Sequence, residues 1–404
     1  NLALINVSES NAYFADIQGV LFSTIERIPK QLIVYPAKQS NAEYNIPDTV
    51  TSILSNAFSS CIHLVNISIP SNIDLIPSKA FQNCWNLKFI KFNHYRIAID
   101  SQAFSHCYHL TSIIGLSSAT YIRNSAFEYC YSLTSISCFE YVDLIESCAF
   151  LYCSSLHTIN FKNSIISIGS SAFEYCSSLT TIEFTENVGA ISYYAFRYCS
   201  SLDTITFHRT FNSIAHDAFQ YCHSLKSITI VEPNQDSKVK YTSNDGVLFY
   251  HDDQDRILLV KYPPKKGSVY QVPHFVTVIG EYAFQSCSGL TEITFDELSK
   301  VSVIDKSAFE SCDGLKTIII PNGALFINSN AFRSCSSLES IIVPHSVTSI
   351  GNSAFESCSN LEKIIIPSSI KSIGNYAFGS CSSLAQITFS EIYDLSTTIS
   401  IGNS

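Results

Sequence analysis

Charge is scarce in this sequence. Asp, Glu, Lys and Arg make up 14% of its 404 residues, with 24 basic against 34 acidic and a net charge of −10. It has no dense basic patch of the kind that neutralises phosphates, so nucleic-acid binding is not expected. It has no run of eighteen or more apolar residues, so no membrane span is expected within it. The opening, Asn1-Leu2-Ala3-Leu4-Ile5, lacks the charged segment, apolar core and cleavage site of a signal peptide. Also missing are a Gly-rich phosphate loop, a nucleophile elbow and a His-Glu-x-x-His pair. Ser, His and Asp occur, but in no context that makes a triad. The eleven His residues are scattered, and His106 and His109 have no acidic or His partner at ligand spacing. No catalytic, cofactor-binding or metal-ligating residue is assigned, and no enzyme activity is expected.

What is present is repetition. An Ala-Phe pair recurs at Phe58, Phe81, Phe104, Phe127, Phe150, Phe173, Phe196 and Phe219, then at Phe284, Phe309, Phe332, Phe355 and Phe378, in steps of 23 residues except one of 65 and one of 25. Three residues after each Phe stands Cys (Cys61 to Cys381), six after stands Leu (Leu64 to Leu384), nine after stands Ile (Ile67 to Ile387), and five before stands another Ile (Ile53 to Ile373). A fixed period of this size means stacked units whose uniform side chains point at one shared interior. Length therefore counts repeats, not globular domains.

Within a repeat, a segment such as Leu179-Thr180-Thr181-Ile182-Glu183-Phe184 has strand period in its last part. Stacked in parallel about 4.8 Å apart, these strands make a long sheet on one face. A turn follows, often with Pro (Pro321, Pro344, Pro367), then a short extended piece ending in Ile, then Ser-Ala-Phe-x-x-Cys. That last segment suits a single helical or 3₁₀ turn on the opposite wall, and no long helix is expected.

Residues 1–50 lack the period and read as short strands of a hairpin-like cap. The same module returns at 232–274, where Gly246-Val247-Leu248-Phe249 and Leu259-Val260-Lys261-Tyr262-Pro263 repeat Gly19-Val20-Leu21-Phe22 and Leu32-Ile33-Val34-Tyr35-Pro36. Repeat blocks are expected at 51–231 and 275–404, each headed by its own module. The chain begins without Met and ends at Ile399-Ser400-Ile401-Gly402-Asn403-Ser404, the opening of another repeat cut before its Ala-Phe. It is expected to be a fragment or mature portion, with any signal peptide or anchor outside it.

Thirteen of the fifteen cysteines share one register, with Cys138 and Cys148 outside it. A secreted disulfide framework has paired, irregular spacings. A one-per-repeat ladder reads as a small buried hydrophobe with a weak S–H donor. Bridges between adjacent rungs are the alternative.

These residues resemble the 23-residue leucine-rich repeats of the BspA-like surface-antigen family, whose pattern Leu338 through Asn360 follows nearly throughout. The Asp245 to Phe249 module matches it too, with its Tyr-Pro and Tyr-x-x-Pro companions. The Gly after Ile is kept at Gly169, Gly280, Gly351 and Gly374 but replaced at Leu54, Pro77, Asp100 and Arg123. The resemblance implies a leucine-rich-repeat solenoid and a non-enzymatic, cell-surface or secreted adhesin that binds protein or glycan on host cells, extracellular matrix or microbes. The competing expectation is an intracellular protein–protein interaction scaffold, consistent with free thiols.

Two places where the copies disagree are the candidate partner-binding residues. Directly before Cys, the first block has Tyr129, Tyr152, Tyr175, Tyr198 and Tyr221, whereas the second has Ser286, Ser311, Ser334, Ser357 and Ser380. This is either a recognition strip of rigid aromatics or a self-packing ladder left by repeat duplication. On the strand face, the solvent-facing position holds Glu183, Thr206, Thr229 and Thr294 but Ile319, Ile342 and Ile365 in three consecutive late repeats. These form either an apolar partner patch or β-branched residues suited to strands. Asn6-Val7-Ser8 and Asn66-Ile67-Ser68 match the N-glycosylation pattern, a weak signal in so Asn- and Ser-rich a chain.

Overall fold

Thr181-Ile182-Glu183-Phe184 forms a strand because its alternation buries Ile182 and Phe184 and exposes Thr181 and Glu183. In the computed structural model of the chain, which describes residues 2–93, 96–115, 118–136, 142–208, 211–231, 240–390 and 400–402, this pattern recurs turn after turn. The fold is a parallel β-solenoid, with no helix among the described residues. Two compact units divide it: Asn1–Leu202 with Phe207–Phe219, and Asp203–Thr206 with Gln220–Ser404.

In the first unit, strands stack in register one repeat apart. Thr158, Ile159, Asn160 and Phe161 pair with Thr181, Ile182, Glu183 and Phe184. The short extended pieces ending in Ile make a second parallel sheet of seven strands, from Leu75–Ile76 to Phe211–Ile214. Between the sheets runs a column of Phe side chains. From Phe58 through Phe219 each ring stacks on the next, at 4.7 to 5.6 Å between centroids, the offset geometry aromatic pairs prefer.

The turn wall has a specific form. The amides of Ser171, Phe173 and Tyr175 donate to the carbonyls of Tyr193, Ala195 and Arg197 in the next repeat at 3.0, 2.8 and 2.9 Å. Those of Ala172, Glu174 and Cys176 donate back three residues, to Gly169, Ser171 and Phe173, at 3.2 Å each. The amides thus alternate between the stack and the local turn, so every one is satisfied without a helix. Ser171 and Tyr175 take left-handed φ values of 56° and 61° to make this possible. The second unit repeats the device at Ser307 and Ser311, with φ of 54° and 58°.

The Cys slot is equally regular. The Cys176 and Cys199 thiols donate to the Phe150 and Phe173 carbonyls of the preceding repeat, both at 3.3 Å. In the second unit, Cys335 and Cys358 donate to Phe309 and Phe332, both at 3.1 Å. All described cysteines are free thiols, so the ladder holds no bridges among them. Cys148 is half-buried, and Cys138 lies outside the described residues.

Each unit contains an antiparallel three-stranded piece. In the first, Phe14–Ile17, Val20–Ile25 and Ile28–Val34 pair in succession, and the last pairs in parallel with Ser52–Ile53. In the second, Tyr241–Asn244, Val247–His251 and Ile257–Lys261 lead in the same way to Val278–Ile279. The Asp-Gly signature is a hairpin turn: Asp245 and Gly246 have φ of 49° and 73°, as Gln18 and Gly19 have 53° and 78°, the left-handed pair a type I′ turn needs. A Cβ at Gly246 would also lie 2.8 Å from the Ser227 Cβ.

The Tyr-Pro signature heads the aromatic column. Tyr35 stacks on Phe58 at 5.2 Å and Tyr262 on Phe284 at 5.1 Å. Tyr44 packs edge-on against Tyr35, and Tyr270 packs at a tilt against Tyr262. Within the second unit, residues from Gln220 on stack on the second hairpin. Ile228 donates its amide to the Gly246 carbonyl at 2.9 Å, and Lys265 donates to that of Leu225 at 2.8 Å.

Candidate interaction surfaces

The slot before Cys is a left-handed position in every described repeat, with φ of 61°, 61°, 61°, 59° and 58° at Tyr129, Tyr152, Tyr175, Tyr198 and Tyr221. Short polar side chains tolerate that conformation, whereas a bulky aromatic there is an outlier. The five tyrosines are all half-buried. Tyr129, Tyr152, Tyr175 and Tyr198 stack face to face at 5.0, 4.4 and 4.5 Å between centroids, with ring planes within 13° of one another. The ring faces of the column are therefore largely covered by one another. Burial raises the Tyr129, Tyr175 and Tyr198 hydroxyls above their ordinary 10.0, keeping them protonated donors. At one end Arg197 lies over the Tyr194 and Tyr198 rings at 4.4 and 5.1 Å and is pinned by Glu174 at 2.7 Å. Tyr221 packs at a tilt against His223.

A second aromatic column, not foreseen from the sequence, joins the first. Directly after Cys, Trp85 stacks on Tyr108 at 6.3 Å and Tyr108 on Tyr131 at 5.5 Å. Tyr129 touches Tyr131 at 5.9 Å, and His106 touches both Tyr108 and Tyr129. Trp85 and Tyr131 are among the most exposed aromatics of the first unit. The sequence signal was there: the next three repeats have Ser154, Ser177 and Ser200 in that slot. It spans only three repeats, against five for the slot before Cys.

On the strand face of the second unit, Ile319, Ile342 and Ile365 are 64%, 58% and 60% exposed. Ile319 and Ile342 are register partners in adjacent parallel strands. Thr294 and Thr388 hold the same position in the flanking repeats, so the apolar strip is three rungs long. The tyrosines and the isoleucines thus sit on different faces of the repeat, one on the turn wall and one on the strand sheet.

Other candidates resolve into structure. Among the described residues no three His, Cys, Asp or Glu side chains come together as a metal site. His106 instead pairs its Nδ1 with the Ser105 hydroxyl at 2.7 Å. Burial pushes the Cys107, Cys130, Cys153 and Cys176 thiols well above their ordinary 9.0, which makes them poor nucleophiles. The Asn66 amide is already engaged, donating to Glu43 at 2.7 Å from within a strand, whereas Asn6 is exposed. The largest buried anomaly is Lys261, 3% exposed, whose ammonium donates to the Tyr282 carbonyl at 3.1 Å.

The chain is matched by the family model for the BspA type leucine rich repeat region, in six copies, over residues 35–142, 120–243 and 268–385. Among solved structures, a leucine rich cell surface protein from Faecalibacterium prausnitzii is 26% identical over 96% of this chain and 97% of its own, with a TM-score of 0.70. A leucine-rich repeat protein from Bacteroides ovatus is 21% identical over 96% and 92%, with a TM-score of 0.56, a likeness of fold. No curated protein sequence matches.

Proposed function

The chain belongs to the BspA-type leucine-rich repeat family, and on that premise we propose that it is a non-enzymatic binding protein. In this reading it is a cell-surface or secreted adhesin that recognises protein or glycan on host cells, extracellular matrix or microbes. Its organisation is two repeat blocks, 51–231 and 275–404, each headed by a hairpin-like module, 1–50 and 232–274.

The observation that carries the reading is the joined aromatic surface of the first unit. Tyrosines occupy left-handed positions that hold serine, at the same φ, elsewhere in the chain. A feature the fold does not need, held in fixed register across successive repeats, supports selection for what it touches. Rigid tyrosine and tryptophan side chains supply contact area with little entropy to lose. Affinity then arises from area and preorganisation, not from one pocket. The likeness to a bacterial cell surface protein over nearly the whole length supports the surface location.

The second reading, an intracellular scaffold, is favoured by the free-thiol ladder, since reducing compartments keep thiols unpaired. Protease added to intact cells separates the two. Cleavage of the surface pool supports the adhesin, and protection of the whole pool contradicts it. Binding is tested by screening the chain against matrix proteins, cell-surface glycans and microbial surfaces. No saturable binding to any of them would contradict the reading.

A further inference from the structure

We propose that a groove on the strand face of the second unit docks an extended segment of a partner protein in which basic and apolar side chains alternate. The general binding role is the premise, but the site, the surface and the occupant are new to it.

The groove arises where the period breaks. The repeat between Phe284 and Phe309 is 25 residues long, and its extra residues fall in the loop that follows the strand Glu292–Phe295. Asp296 shapes that loop: its carboxylate accepts the Leu298 amide at 2.8 Å and its carbonyl accepts the Ser299 amide at 2.9 Å. The loop lifts Leu298 until it is 76% exposed, the highest value for any large hydrophobic among the described residues. Beside it opens a cavity of about 800 Å³ whose lining includes Thr294, Thr317 and Ile319.

The rim fixes the chemistry. Glu292, Asp296, Glu297 and Glu339 line it, against a single ammonium from Lys316. Among the described residues no ion pair engages any of these four carboxylates. The lining thus offers apolar side chains beside negative charge that no ion pair among the described residues engages. Lysine and arginine match both at once, laying their stems on apolar surface and their heads on carboxylates. The apolar surface does not stop at the groove, because Ile342 and Ile365 continue it along the next two strands. A small molecule would leave that extension uncovered, whereas an extended chain follows it.

The test uses three blocked octapeptides with the full chain, by calorimetry at two salt concentrations: one alternating Lys and Val, one alternating Glu and Val, and octalysine. The Lys–Val peptide is expected to bind saturably at one site, with octalysine at least tenfold weaker and Glu–Val not binding. Ile319→Thr installs the residue that Thr294 already places in this slot one repeat earlier, so folding is preserved. It should weaken Lys–Val binding about tenfold. Glu297→Lys should weaken it similarly and flatten its salt dependence. Equal binding of octalysine and Lys–Val, binding indifferent to both substitutions, or no saturable binding overturns the groove. That failure leaves the adhesin reading standing, because the screen of matrix, glycan and microbial targets is read independently on the aromatic surface.

Discussion

The cores of the two units are built alike, and their surfaces differ. Before Cys, Tyr175 and Ser334 have φ of 61° and 58°, one backbone carrying two different side chains. On the strand face, the first block presents Glu183 where the second presents Ile319. The hairpin modules differ in the same way. Leu32-Ile33-Val34-Tyr35 and Leu259-Val260-Lys261-Tyr262 superimpose by sequence, yet the second puts an ammonium in a fully buried place. Slots that never vary, those of Phe, Cys, Leu and the two Ile, line the interior, whereas slots that vary include exposed ones such as that of Ile319 and half-buried ones such as that of Tyr175.

The largest expected effect probes what the blocks share. Burial raises the Cys107, Cys130, Cys153 and Cys176 thiols in one unit and Cys287, Cys312, Cys335 and Cys358 in the other above 9.0. Above the unfolded pKa the unfolded chain sheds these protons and the folded one does not. Stability present below pH 9 is then lost as pH rises, by up to about 1.4 kcal/mol per thiol per pH unit. Circular dichroism against pH should show cooperative unfolding of both units within roughly one to two units above pH 9. Survival of one unit well beyond the other would break the equivalence of the two cores.

Next in size is the aromatic column. Phe173→Ala and Phe332→Ala each open a cavity in a fully buried stack. Each should cost about 3–5 kcal/mol in urea unfolding. A much smaller loss in one unit would mean its column is not the core.

Lys261 sharpens the difference between modules. Desolvation lowers its pKa from the ordinary 10.5, so between the folded and unfolded values the unfolded chain binds more protons and this group's contribution to stability improves as pH rises. Lys261→Met, of similar volume, should raise stability at neutral pH by about 1–3 kcal/mol. It should also remove that favourable slope, measured by denaturant unfolding as pH is raised towards 10.5. A loss of stability instead would show the ammonium to be well satisfied by Tyr282.

Much of the fold is legible in the residues because repetition substitutes for an alignment. The Phe, Cys, Leu and Ile registers name the interior, and Ile182 and Phe184 name the strand. Less legible is the alternating hydrogen bonding of the turn wall, since its left-handed positions hold Ser, Tyr, Asn, His, Lys, Gln and Cys instead of Gly. Trp85, Tyr108 and Tyr131 escaped notice because their column is short. The burial of Lys261 is invisible in sequence, where a lysine reads as solvated. The groove was present only as a step of 25, and its consequence needed the loop's height and the neighbouring Ile319 in three dimensions.

The most direct test of whether function lies where the copies disagree is Tyr152→Ser, Tyr175→Ser and Tyr198→Ser combined, measured for unfolding free energy and for binding to whichever target the screen returns. Each ring pair contributes about 0.5–1.5 kcal/mol of stacking, and the left-handed φ is the same with Ser as with Tyr. A chain that still folds, destabilised by no more than about 5 kcal/mol, with binding weakened at least tenfold, is the expected result. Full binding, or a chain that no longer folds, would mean that the tyrosine column serves only the packing of the solenoid.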